Sequence, residues 1–240
     1  MVRANLNKDP DDVSKMFDAV ANRYDFLNDL LSLGRTKAWR RVVTSIIAPK
    51  PGIKILDIAA GTGSSSRPLV DKGADVIALD FSEGMLAQGR KQNRDIKFMQ
   101  GDALNLPFEE NTFDVTTISF GLRNTSNTST ALKEALRVTK VGGKIVVAEF
   151  DHQKNLLLRL AYLNYLMKAL PVIARKISKN PDAYVYLAES IRAWPDQAGL
   201  AQKMSDIGFK SVAWQDLTFG IVAVHVGYKG EVAKNASAKP

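Results

Sequence analysis

Between Lys54 and Glu149 short apolar runs alternate with amphipathic stretches, and this alternation constrains the fold of the 240-residue chain more than any other feature. The apolar runs are 54–59, 74–80, 96–100, 113–119 and 144–149; helical patterns lie between them at 65–71, 82–93 and 128–139, the second opening at a capping Ser82. Continuous apolar runs joined by helices predict an open, mostly parallel sheet covered on both faces, an α/β fold. A helix at 196–206 and two later runs, 212–217 and 221–227, add a hairpin-like pair that closes a seven-stranded sheet. Before the sheet, Phe17, Val20, Tyr24, Leu27 and Leu31 form one helical stripe. Beyond Gly34, Trp39, Val42, Val43, Ile46 and Ile47 form another, ended by Pro49 and Pro51. The expected organisation is one domain over 1–240, with an N-terminal helical lid (1–50), a helical insertion (152–195) before the last two strands, and a flexible tail (231–240).

Composition removes several chemistries. There is no cysteine, which excludes a disulfide framework, a Cys-ligated metal and a Cys nucleophile. His152 and His225 are the only histidines, so a His-rich metal site is not expected. The net charge of +8 points to nucleic acid, an anionic membrane face or an anionic ligand, without choosing among them. Residues 152–181 concentrate it: they hold six Lys/Arg and no acid, together with Leu156, Leu160, Leu163, Met167 and Leu170 at helical steps. No apolar run approaches the roughly 18–20 residues that span a bilayer, and residues 1–10 lack an apolar signal core. The expected location is the cytoplasm, peripheral at the inner face of the cell membrane.

The Gly-rich turn after the first strand reads Asp57-Ile-Ala-Ala-Gly61-Thr-Gly63-Ser-Ser-Ser66. A dinucleotide fingerprint needs a third glycine where Ser66 stands. A phosphate loop needs Gly-Lys-Ser/Thr, which is absent. An acid (Asp57), then glycines, then an acid ending the second strand (Asp80) is similar to the adenosylmethionine pocket of class I, Rossmann-like methyltransferases. Gly61 and Gly63 let backbone approach a ligand, and Asp80 is placed to accept from ribose hydroxyls. Asp102 follows the third strand at the adenine edge, and Ser119 ends the fourth beside the methyl donor. Asp80 also reads as a helix cap and Asp102 as a turn residue. After the fourth strand, Ser119-Phe-Gly-Leu-Arg-Asn124 stands where nucleic-acid amino-methyltransferases carry Asn/Asp-Pro-Pro-Tyr/Phe, so a nucleic-acid substrate is not expected.

From Phe17 to Tyr228 the chain resembles the demethylmenaquinone/ubiquinone C-methyltransferase family. Tyr24-Asp-Phe-Leu-Asn28 with Trp39 carries the resemblance near the N-terminus, and Ile118-Ser-Phe-Gly-Leu-Arg-Asn124 with Glu149 in mid-chain. Tyr184-Val-Tyr-Leu-Ala-Glu-Ser-Ile191, Pro195-Asp-Gln197 and His225-Val-Gly-Tyr-Lys229 carry it toward the C-terminus. Departures are Thr36, Asp151 and Val226, where the family usually has His, Ser and Arg.

The resemblance implies methyl transfer from S-adenosylmethionine to a ring carbon of a prenylated quinol, without a metal. The substrate implied is demethylmenaquinol; the ubiquinone benzoquinol precursor, another lipid or small acceptor, and an inactive scaffold are the alternatives. Carried over by position, the cosubstrate contacts fall on Thr62, Asp80, Asp102, Ala103 and Ser119; Thr62 and Ala103 rest on the resemblance alone. Arg123 and Asn124 are the candidates for stabilising a developing phenolate, the competing reading being that Arg123 pairs with an acid of the N-terminal helix. Tyr24, Tyr184, Tyr186 and His225 are further candidates for touching substrate, although His225 also reads as a core residue within Val222-Ala-Val-His-Val226. The basic, oily insertion is matched to an anionic membrane surface. Homodimerisation is left open.

Overall fold

The computed structural model describes residues 8–19, 21, 29, 32, 34–153, 157, 160, 162, 164, 165 and 182–230, the side chains of 182 and 184 excepted. Val20, Tyr24, Leu27, Leu31, the six Lys/Arg of 152–181 and the expected tail at 231–240 therefore lie outside the described residues. Helix α1 (Pro10–Asp18) starts at Asp9, whose carboxylate accepts from the amides of Asp11 and Asp12. Helix α2 (Arg35–Ile47) buries Trp39, Val43 and Ile47, one stripe at four-residue steps.

Then come β1 (Lys54–Ile58), the short α3 (Arg67–Val70), β2 (Asp75–Asp80), α4 (Glu83–Gln92), β3 (Lys97–Gln100) and β4 (Phe113–Ser119). They are followed by α5 (Thr128–Val138), β5 (Thr139–Phe150), α6 (Asp182–Ala193), α7 (Gln197–Ile207), β6 (Lys210–Leu217) and β7 (Val222–Tyr228). Among the described residues one seven-stranded sheet forms, in the order β3-β2-β1-β4-β5-β7-β6. Strands β1 to β5 pair in parallel, whereas β7 runs antiparallel to both β5 and β6.

Both faces of the sheet are covered, as the continuous apolar runs require. Alternate residues feed two cores: Leu56, Ile145 and Val147 pack with Leu132 of α5 and Met204 of α7. Ile55, Val146 and Ala148 pack on the other side with Trp39 and Ile47 of α2. The capping role of Ser82 is realised: its hydroxyl accepts from Met85 N at 3.1 Å.

One boundary is corrected. The fifth apolar run was read at 144–149, after a helical pattern ending at 139, yet β5 begins at Thr139 and runs through the glycine pair Gly142–Gly143. The pair finds hydrogen-bond partners beyond β7, where Gly142 N donates to Lys229 O at 2.7 Å and Lys229 N donates to Gly143 O at 2.9 Å. The register shift this requires lies between Phe113 and Val115 of β4.

Candidate active site

The parallel strands β1, β2 and β4 deliver their carboxyl ends to one place, the general position of ligand sites in open α/β sheets. The turn after β1 is tight, with Ala59, Gly61 and Gly63 all at positive φ. It is tied across to β2: Ala60 N donates to Leu79 O at 3.0 Å, and Gly61 N donates to Asp80 Oδ2 at 2.8 Å. Ser82 N donates to the other carboxylate oxygen, Asp80 Oδ1, at 2.8 Å. Asp80 is thus oriented from both sides. Burial pushes its carboxyl pKa up, against the pull of the backbone N–H donors.

A cavity of about 520 Å³ opens at these strand ends. Gly61, Thr62, Asp80, Asp102, Ala103 and Ser119 all lie in its wall, so the structure brings these sequence-predicted residues together. Asp102 is fixed by its own turn, its Oδ1 accepting from Leu104 N at 2.8 Å. Opposite in character is an aromatic wall. Phe120, Phe150 and Trp39 pack together, with the Phe120 and Phe150 ring centroids 5.1 Å apart and Trp39 5.9 Å from Phe120. Trp39 Nε1 donates to Thr218 Oγ1 at 2.8 Å, which holds the indole in place. Tyr162, Tyr165 and Tyr186 line the same cavity, and α1 contributes Val13, Met16 and Phe17.

Arg123 and Asn124 also lie in the wall, on the short 3₁₀ turn after β4. Arg123 does pair with an acid, but the acid is Glu149 of β5 rather than one of the N-terminal helix. Nη1 donates to Glu149 Oε1 and to Phe120 O, each at 2.6 Å. The guanidinium carbon sits 5.2 Å from the centroid of the Phe150 ring. Asn124 Nδ2 points to Phe120 O at 3.4 Å, which assigns the amide orientation; Asn124 Oδ1, Arg123 Nε and Tyr186 Oη are buried without a partner among the described residues.

Three expectations are corrected. Asp57 is fully buried behind the turn and does not reach the cavity; its Oδ2 accepts from Ser66 Oγ at 2.6 Å. Burial drives the Asp57 pKa up to about 7. Gly63 does not open the backbone toward a ligand either. A Cβ there would sit 2.6 Å from Phe98 Cζ, so this glycine serves the packing of the turn on β3. His225, finally, is fully buried away from the cavity. Its Nε2–H donates to Gln197 O at 2.9 Å, its ring stacks on Trp214 at 5.9 Å, and burial holds its pKa below the usual histidine range. Tyr184 belongs to α6, but its side chain, like all of Tyr24, lies outside the described residues.

Glu149 was noted in the sequence only as part of a motif. An acid ending the apolar run Lys144-Ile-Val-Val-Ala-Glu149 is a usable signal, since a buried carboxylate demands a cationic partner.

The sequence pattern of the ubiE/COQ5 methyltransferase family matches residues 4–229. The chain belongs to that family. Within reach of it is the demethylmenaquinone methyltransferase of Paenarthrobacter aurescens, 57% identical over 229 residues, 95% of this chain and 90% of that protein. The protein of the same name from Renibacterium salmoninarum is 56% identical, covering 95% of this chain and 97% of its own. A solved S-adenosylmethionine-dependent methyltransferase of Thermotoga maritima superposes with a TM-score of 0.64 at 22% identity, over 90% of this chain and 99% of that one. That likeness shows the class I methyltransferase fold, the architecture the strand alternation implied.

Proposed function

We propose that this family member transfers a methyl group from S-adenosylmethionine to a ring carbon of demethylmenaquinol, giving menaquinol. The observation that carries the reading is the 57% identity, across 95% of the chain, to a demethylmenaquinone methyltransferase. The cavity fits the two ligands in different parts of its wall. A carboxylate has about four acceptor sites, so backbone donors orient Asp80 while leaving capacity for ribose hydroxyls. Asp102 and Ala103 would meet the adenine, and Thr62 and Ser119 the amino-acid and sulfonium end. The aromatic wall of Trp39, Phe120 and Phe150 suits a flat, oily ring.

When bound, the cosubstrate supplies an already activated methyl group. The protein's tasks are alignment of the acceptor carbon with that methyl, and control of the quinol proton. Arg123 and Asn124 serve the second task. Asn124 Oδ1, which has no partner among the described residues, accepts a hydrogen bond from the quinol hydroxyl; the Arg123 guanidinium stabilises the oxygen as its proton passes to solvent water and charge develops. Glu149 holds the guanidinium plane in place while doing so. Tyr186, whose buried hydroxyl has no partner among the described residues, offers a further hydrogen bond to the ring oxygens.

The prenyl tail is insoluble in water, so the quinol is collected from the inner membrane face, where the protein docks peripherally. Among the described residues no helix is long and apolar enough to cross a membrane. Exposed apolar side chains instead flank cavity-wall positions: Phe219 is 82% exposed between Thr218 and Ile221, and Leu157 and Leu160 are 77% and 50% exposed ahead of Tyr162. The basic residues of 152–181 add attraction to anionic lipid.

The test is direct. Purified protein, S-adenosylmethionine labelled in its methyl group and demethylmenaquinol in detergent should give labelled menaquinol by mass spectrometry. Transfer to the benzoquinol precursor alone, or to neither quinol, would overturn the assignment.

A further inference from the structure

Helix α1 touches the rest of the protein at a revealing point. Asp18, its last residue, reaches the start of α4: its Oδ1 accepts from Ser82 Oγ and, at 3.0 Å, from Gly84 N. Ser82 is also the residue whose backbone N–H donates to Asp80 Oδ1, and Asp80 in turn accepts from Gly61 N. A continuous hydrogen-bonded path therefore runs Asp18, Ser82, Asp80, Gly61, from the N-terminal helix to the turn after β1. Gly84 completes the contact, because a Cβ there would lie 2.5 Å from Asp18 Oδ1. The same helix supplies Val13, Met16 and Phe17 to the cavity wall.

We propose that Asp18 is a positioning residue which couples docking of α1 over the cavity to the grip of Asp80 on the cosubstrate, acting through Ser82. This rests on the reading that the cavity holds S-adenosylmethionine. If Asp18 leaves, the Ser82 hydroxyl loses its acceptor and keeps only the capping bond from Met85 N, so the loop carrying the Asp80 donor is held less firmly. In the other direction, a ligand that orders Asp80 and Ser82 presents α1 with a fixed docking point. Linkage requires the two effects to be equal in free energy.

The probe is S-adenosylhomocysteine, the demethylated product, measured by calorimetry together with tryptic cleavage after Lys15, an exposed site in the last turn of α1. In the wild type the ligand should slow that cleavage. Asp18→Ala should weaken binding about three- to tenfold, the scale of one ordinary net hydrogen bond because Asp18 acts only through Ser82, and abolish the protection. Asp18→Asn, which keeps the acceptor oxygen, should restore most of the affinity. Gly84→Ala, whose Cβ would push Asp18 away, should reproduce the Asp18→Ala result. Unchanged affinity in both Asp18→Ala and Gly84→Ala, or ligand protection of Lys15 that persists in Asp18→Ala, would overturn the coupling. Absence of binding in the wild type would instead overturn the cosubstrate assignment itself.

Discussion

Arg123 Nη1 lies 2.6 Å from Glu149 Oε1, and the two side chains are 4% and 1% exposed. A pair this deep carries a large penalty when split, about 3–5 kcal/mol for leaving one charge buried alone. Arg123→Ala should therefore lower stability by about that amount, whatever it does to chemistry. Arg123→Lys keeps the charge but not the planar guanidinium, whose Nη1 serves Glu149 and Phe120 O and whose face lies beside Phe150. It should reduce turnover by about tenfold or more while S-adenosylhomocysteine affinity stays within about twofold. Steady-state kinetics beside calorimetry check this, and an unaltered turnover number would leave Arg123 a purely structural partner of Glu149.

Asp80→Ala should weaken S-adenosylhomocysteine binding by about 1.5–3 kcal/mol, the usual scale for hydrogen bonds to a charged group. NAD should not bind to the wild type, because Ser66 fills the third fingerprint position and its hydroxyl is committed to Asp57. Titration calorimetry with both ligands decides the matter; an affinity indifferent to Asp80 removes that residue from the site.

Two buried carboxyls make stability depend on pH. Burial raises Asp57 to about 7 and, with help from the charges of Asp216, Asp196 and Glu149, raises Asp151 to about 7. The folded state thus holds protons that the unfolded chain releases from about pH 4 upward. Their contribution is full below that value and is lost as pH rises through about 4 to 7. Thermal melts of the wild type and of an Asp57→Asn, Asp151→Asn double variant should diverge across this window, the variant gaining relative stability as pH rises. Parallel curves would show that neither acid is protonated in the fold.

Membrane docking should appear in vesicle sedimentation. The wild type should pellet with anionic vesicles at low salt, less at high salt, and not with neutral ones. Lys168→Glu with Lys176→Glu should reduce the bound fraction, and so should Phe219→Ser, which removes an apolar side chain that is 82% exposed. Indifference of the wild type to anionic vesicles would remove the membrane from the proposed reaction.

The sheet was legible in the sequence because its strands are buried on both faces, and runs such as Ile145-Val-Val-Ala148 have no other way to be so apolar and so short. The place of Asp80, Asp102 and Ser119 in the cavity wall was legible for a related reason: polar residues at or just after the ends of such runs fall at the carboxyl rim of the sheet. Gly63 was misread, and His225 was left between a substrate contact and a core residue, because sequence does not say which way a residue faces. Phe98 occupies the space Gly63 makes, and the pleat of β7 turns His225 toward Gln197. Asp18 gave no local signal, since its partners Ser82 and Gly84 lie more than sixty residues away.

The place of β7 between β5 and β6 has a consequence for how the chain is made. Lys144 to Phe150 pair with residues 222–228, so one edge of β5 has no partner until almost the whole described chain has left the ribosome. Until then the Ile145–Ala148 segment is an uncovered apolar strand edge, the kind of template on which nascent chains aggregate. The early strands can meanwhile pair among themselves and bring the Gly61 turn to Asp80. One half of the site is thus available during synthesis, and the half walled by α6 and Thr218 is completed only at its end.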